Sequence, residues 1–106
     1  MKVSEGKYEP TLVYVSFIEE IARVRRYGIE KHDNSEDWRT TPIVDHFDAM
    51  LRHINAHIDG EILDPESGLM HLSHAAANIM FEIERVKGVG KPKIVKYKSS
   101  RDSLSL

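Results

Sequence analysis

The chain has 106 residues, with 15 Lys and Arg against 17 Asp and Glu, and no cysteine. That near-balance gives no general attraction to nucleic acid or to an anionic membrane, and the missing thiols exclude a disulfide scaffold, a cysteine zinc site and a cysteine nucleophile. No apolar run approaches the roughly 18 residues of a membrane span. The opening MKVSEGKYEP lacks the apolar stretch of a secretory signal, so a soluble cytoplasmic protein is expected, with one domain and a modest core.

Three segments carry helical periodicity. In the first, from about Thr11 to Tyr27, Leu12, Val15, Ile18, Ile21, Ala22 and Val24 recur at spacings of three and four, which is one buried helix face. Gly28 stands where that pattern fails and is expected to supply a left-handed C-cap. A short strand at Val13 to Val15 is the weaker alternative. HDNSEDWRT, residues 32 to 40, reads as a long polar connector with turn chemistry and one large ring, Trp38.

The second helix has its own start signals. Thr41 suits an N-cap, Pro42 the first helical position and Asp45 the positive helix end. Ile43, Phe47, Met50, Leu51, Ile54 and Ile58 form its stripe, and Gly60 its stop. Asp64 and Pro65 repeat the same start grammar for a third helix that runs past Val86 to Gly88 and Gly90. KPKIVKYKSSRDSLSL then reads as a basic, serine-rich, partly extended tail. The expectation is an all-α fold, three helices in an antiparallel bundle, with a helical domain over 1–90 and a tail over 91–106. Helix 3 is apolar on too many sides to stand free, so a homo-oligomer is expected.

The chemistry concentrates on helices 2 and 3. His46, His53 and His57 recur at spacings of seven and four, with Arg52 beside them. At 100° per residue, His71, His74, Asn78, Glu82 and Arg85 share a stripe on helix 3. For any single histidine, a bond to a backbone carbonyl is the blander account, as capping is for Asp64 and solvent exposure for Lys31. Five of six histidines on two neighbouring helices outweigh that account taken together. His53 and His57 at i, i+4 have the spacing of a helical transition-metal pair, but there is no HExxH motif. Asp45-x-x-Asp48 and Glu61-x-x-Asp64 are carboxylate pairs that could hold a hard cation. They resemble the paired acidic motifs of the all-α MazG-type nucleoside triphosphate pyrophosphohydrolases, with aspartates where the first pair has glutamates.

A more specific resemblance runs from residue 12 to 84. YGIEKH, DWR, AMLRHINAH and DGEILDPESGLMHLSHAAANIMFEIE resemble the phage-associated family described as the N-terminal domain of dATP/dGTP diphosphohydrolases. The matching residues are Gly28, Lys31, Trp38, Arg52, His53, Gly60, Glu61, Asp64, Glu66, Ser67, Gly68, His71, His74 and Asn78. The resemblance implies a helical domain, in a phage host's cytoplasm, that handles purine deoxynucleoside triphosphates with Mg2+ or Mn2+. The implied reaction is metal-assisted attack of water on the α–β phosphoanhydride. Chemistry then suggests Glu61 and Asp64 as metal ligands or bases together with His53. Lys31, Trp38, Arg52, His71, His74 and Asn78 would contact the nucleotide, with His71, His74 and Asn78 shaping the pocket or serving in metal binding. Binding without turnover, and a purely structural domain, are the alternatives.

Overall fold

The structure is a computed structural model, and it describes residues 6–88. The tail expected at 91–106 and the stop expected at Gly90 lie outside the described residues. The described residues form three α-helices, α1 (Val15–His32), α2 (Ile43–Ile58) and α3 (His71–Gly88), with short 3-10 turns at Pro10–Leu12 and Asp37–Arg39. The fold is all-α, and the residues weighed for a strand, Val13 to Val15, instead lead from a 3-10 turn into α1. Among the described residues, no helix is long and apolar enough to cross a membrane.

α2 and α3 run antiparallel: His46 near the start of α2 meets Glu82 near the end of α3, and His53 meets His71 and His74 at its beginning. α1 packs on α3, where Ser73 donates to Glu20, Tyr27 meets the His74 ring and the Arg25 guanidinium lies over Phe81. The small residues of α3 permit this double contact. Ala75 and Ala77 are buried, along with Val24 of α1 and Met50 of α2. His46, His71, Ser73 and His74 are buried with them, so half of this centre is polar and must be hydrogen-bonded to be tolerated.

The helix ends depart from the expectations in three places. Gly28 is not a cap: α1 continues one turn past it, and Asp33 takes the left-handed position at φ 56° with its N–H on the Ile29 carbonyl. Aspartate tolerates that region better than most residues, and Lys31 and His32 in the last turn suit the negative helix end. Thr41 does not cap α2. Its hydroxyl donates to the Asp37 carbonyl at 3.1 Å, and Pro42 occupies the cap position with no side-chain bond. Asp64 does not cap α3, which begins seven residues later at His71.

The third correction has a clear cause. Asp-Pro is turn grammar as well as helix grammar, and here the turn wins. Asp64 Oδ1 accepts the Glu66 N–H, the Gly68 N–H donates to the Asp64 carbonyl, and the Asp64 N–H donates to that of Leu69. Gly68 at φ +76° breaks any helical path, and an isolated antiparallel bridge between Leu63 and Met70 closes the loop. The stop expected at Gly60 does occur. With φ +101°, its N–H bonds the His57 carbonyl while that of Glu61 bonds Ala56, the paired C-terminal bonds of a Schellman motif.

Candidate functional site

A cleft of about 550 Å3 opens between α1, the 34–41 connector, α2 and α3. Every element contributes one wall. α1 supplies Tyr27, Gly28 and Lys31, the connector Asn34, Asp37 and Trp38, α2 Asp45, Arg52 and His53, the 63–70 loop Asp64 and Glu66, and α3 His74, Asn78 and Phe81.

At one end the histidines interlock. The His53 ring stacks on His74, with centroids 4.6 Å apart and planes 8° from parallel. His53 Nδ1 lies 2.8 Å from His71 Nδ1, and His71 Nε2 lies 2.8 Å from Glu61 Oε1. His74 Nε2 meets the Ser67 hydroxyl at 2.7 Å and Asp64 Oδ2 at 3.5 Å. Serine and aspartate therefore share one ring nitrogen. A nucleophilic relay needs them on opposite nitrogens, so these three do not form a Ser-His-Asp triad.

One ligand atom each from His53, Asp64 and His74 lies within 4.8 Å of the others. Burial holds the His53 and His74 imidazoles below the usual histidine value. The neighbouring His74 and His71 lower His53 further, and His71 adds to the effect on His74, which the Asp64 carboxylate opposes. Both rings are thus biased toward the neutral form, the form in which imidazole donates a lone pair.

The expected metal pair, Glu61 and Asp64, is arranged differently. Glu61 bonds His71, and the group that converges on Asp64 is His53 and His74. Two imidazoles and one carboxylate do not fit Mg2+, which takes oxygen ligands and holds its waters. Of the first acidic pair, both exposed, Asp45 lines the cleft and Asp48 does not. His57, the i+4 partner of His53, lies outside the converging group, and its buried Nδ1 has no partner among the described residues.

The cationic side is built from α1 and α2. Lys31 Nζ and the Tyr27 hydroxyl both bond Glu66 Oε2 at 2.8 Å. Those two bonds hold the Glu66 carboxyl below its usual range, and the same contact raises Tyr27 and Lys31. The Lys31–Glu66 pair is 47% and 60% exposed, a solvent-screened pair that an incoming anion can replace at little cost. Arg52 is exposed and makes no hydrogen bond or ion pair among the described residues. Asn78 lines the cleft while its amide donates to the His74 carbonyl of its own helix.

At the far end Trp38 stacks on Phe81, with centroids 5.1 Å apart and planes at 7°, and the Arg39 guanidinium lies 4.5 Å from the Trp38 ring centre. Arg85 fixes this connector by donating to the carbonyls of Trp38, Arg39 and Thr41 as well as to Glu82. Glu82 also bonds buried His46. Burial opposes its ionisation, but the bonds from His46 and Arg85 prevail and lower its carboxyl.

Sequence reasoning missed Tyr27, Phe81 and Arg25 as cleft residues. Tyr27 and Lys31 stand at i, i+4 around Gly28, a signal that was hidden by ending the helix at Gly28. Phe81 sits in an apolar run and Arg25 in a basic one, where nothing local distinguishes them.

These features define a class: an all-α module with a cleft that combines exposed cations, two imidazoles and a carboxylate. The chain belongs to the family described as dATP/dGTP diphosphohydrolase, N-terminal, whose model matches residues 1–91. It is 35% identical over 81 residues to a dATP/dGTP diphosphohydrolase of Salmonella phage PMBT28, covering 76% of this chain and 28% of that protein. The chain thus spans under a third of the length of that relative. No solved structure matches.

Proposed function

We propose that this chain is a nucleotide-handling module of a purine deoxynucleoside triphosphate pyrophosphohydrolase acting on dGTP and dATP. The reaction is dNTP plus water to dNMP plus pyrophosphate, with the bond between the α-phosphorus and the bridging oxygen broken. The observation that carries the reading is the cleft itself: Lys31 and Arg52 open onto the same space as His53, Asp64 and His74, with Trp38 and Phe81 lining its other end. In this reading Lys31 leaves Glu66 for a phosphate oxygen and Arg52 holds another. His53 and Asp64 orient and activate the attacking water. Trp38 and Asn78 border the nucleoside, while His71 and Glu61 hold His53 in place. Mg2+ or Mn2+ accompanies the triphosphate and neutralises its charge.

A second reading, nucleotide binding without turnover, is favoured by the 28% coverage of the relative, since the remainder of such a protein can carry chemistry. One experiment addresses both. The purified chain is incubated with each dNTP and Mg2+ or Mn2+, pyrophosphate is measured, and binding is followed in parallel by calorimetry. Pyrophosphate from dGTP or dATP supports the first reading, and binding without it supports the second. Absence of both overturns the two together.

A further inference from the structure

We propose that His53, Asp64 and His74 form a resident site for a divalent transition ion, of the Mn2+ to Zn2+ series rather than Mg2+. Three observations carry it. The first is convergence: three potential ligands from α2, the 63–70 loop and α3 lie within 4.8 Å of one another, with the side chains of Asp64 and His74 only 15% and 10% exposed. Ligand bonds of about 2.0–2.2 Å require them to close by about 1 Å, a rotation of side chains rather than a rearrangement of helices. The second is donor chemistry. Two nitrogens and one oxygen suit ions that accept imidazole, and three protein ligands leave coordination positions open to water or a phosphate oxygen.

The third observation is the support behind the ligands. His71 bridges Glu61 and His53, with Nε2 on Glu61 Oε1 and Nδ1 on His53 Nδ1, each at 2.8 Å. The tautomer in which His71 donates to Glu61 and accepts from His53 leaves the His53 Nε2 lone pair free for a metal. A carboxylate behind a metal-bound histidine usually acts this way, directly or through one group, to fix tautomer and ring orientation. On the other side, Asp64 Oδ1 is committed to the Glu66 N–H at 3.0 Å, so Oδ2, which faces His74 and meets the Ser67 hydroxyl only at 3.5 Å, is the one available to coordinate. Glu61 and His71 are thus positioning residues. They account for a buried histidine bonded to an exposed carboxylate, a placement that packing alone does not require.

The site lies in the cleft assigned above to the nucleotide and so builds on that reading, but its test contains no nucleotide, and either can fail without the other. Chelator-stripped protein is titrated with Co2+ by visible absorption, then with Zn2+ and Mg2+ by calorimetry. One Co2+ per chain is expected, with ligand-field bands and an affinity at least about 100-fold above that for Mg2+. His53→Gln and Asp64→Asn should abolish the bands, and Asp64→Asn keeps the amide-accepting oxygen of the loop. Glu61→Gln should weaken binding by about 10–100-fold, while His57→Ala should leave it unchanged. Circular dichroism of each variant separates loss of a ligand from loss of the fold. Absence of stoichiometric binding, tighter binding of Mg2+, or a site that survives His53→Gln but not His57→Ala would overturn the proposal. If a variant unfolds, the Glu61→Gln affinity on a folded background decides.

Discussion

Glu82 shows at the scale of one residue how a half-buried charge ties this fold to pH. Its carboxyl is lowered in the folded chain because the His46 and Arg85 bonds outweigh burial. A group with a depressed folded value contributes stability above its unfolded value of about 4.5 and loses it as pH falls through the folded one. Glu82→Gln should therefore cost stability at pH 7 yet lose less than the wild type between pH 5 and pH 3. Urea denaturation midpoints at the three pH values provide the check. Identical acid limbs would mean that Glu82 is not ionised against its partners. The pairing was half legible in the sequence: a stripe through Asn78, Glu82 and Arg85 was visible, but nothing local said that His46 would meet it 36 residues away.

At the scale of elements, the chain advertises where helices are and misstates where they end. The apolar spacings gave three helices, and Gly60 gave a true stop. Gly28, Thr41 and Asp64 each carry a terminal signal that long-range packing overrides. Gly28 sits mid-helix with no heavy atom within 4 Å of where its Cβ would stand. Gly28→Ala should thus raise stability by roughly 0.5–1 kcal/mol, read as an increase in melting temperature; a decrease would mean that the helix does end there in solution. The connector depends on Arg85 in the same long-range way. Three carbonyls from three residues converge on one guanidinium, a fork that lysine cannot reproduce. Arg85→Lys should release the connector and shift the emission of Trp38, the single tryptophan, toward that of an exposed ring, with the helical circular dichroism retained. The candidate site was legible as residue types, since His53, Asp64, His71 and His74 all stood out. Their partition was not, because it depends on a closed loop at 63–70 where the sequence reads equally as a helix start.

At the scale of the whole molecule, the described residues leave large apolar side chains of α2 and α3 exposed. Ile43, Phe47, Leu51 and Ile58 of α2 and Leu72, Ile79, Ile83 and Val86 of α3 are 41–74% exposed. They recur at spacings of three, four and seven along the two helices, an exposed apolar face of the kind that marks an association site. Sedimentation should show dimers or larger species at micromolar concentration, and Phe47→Glu with Ile83→Lys should return monomers; a wild-type monomer at all concentrations would refute the expectation. The polar centre has a different consequence, one for genetics. Where other small proteins fill their middle with leucine, this one keeps His46, His71, Ser73 and His74, so the atoms that organise the cleft also hold the helices together. Random mutagenesis should then yield few chains that stay folded with these positions altered: a lesion there removes the protein from the soluble fraction before any effect on the cleft can be scored.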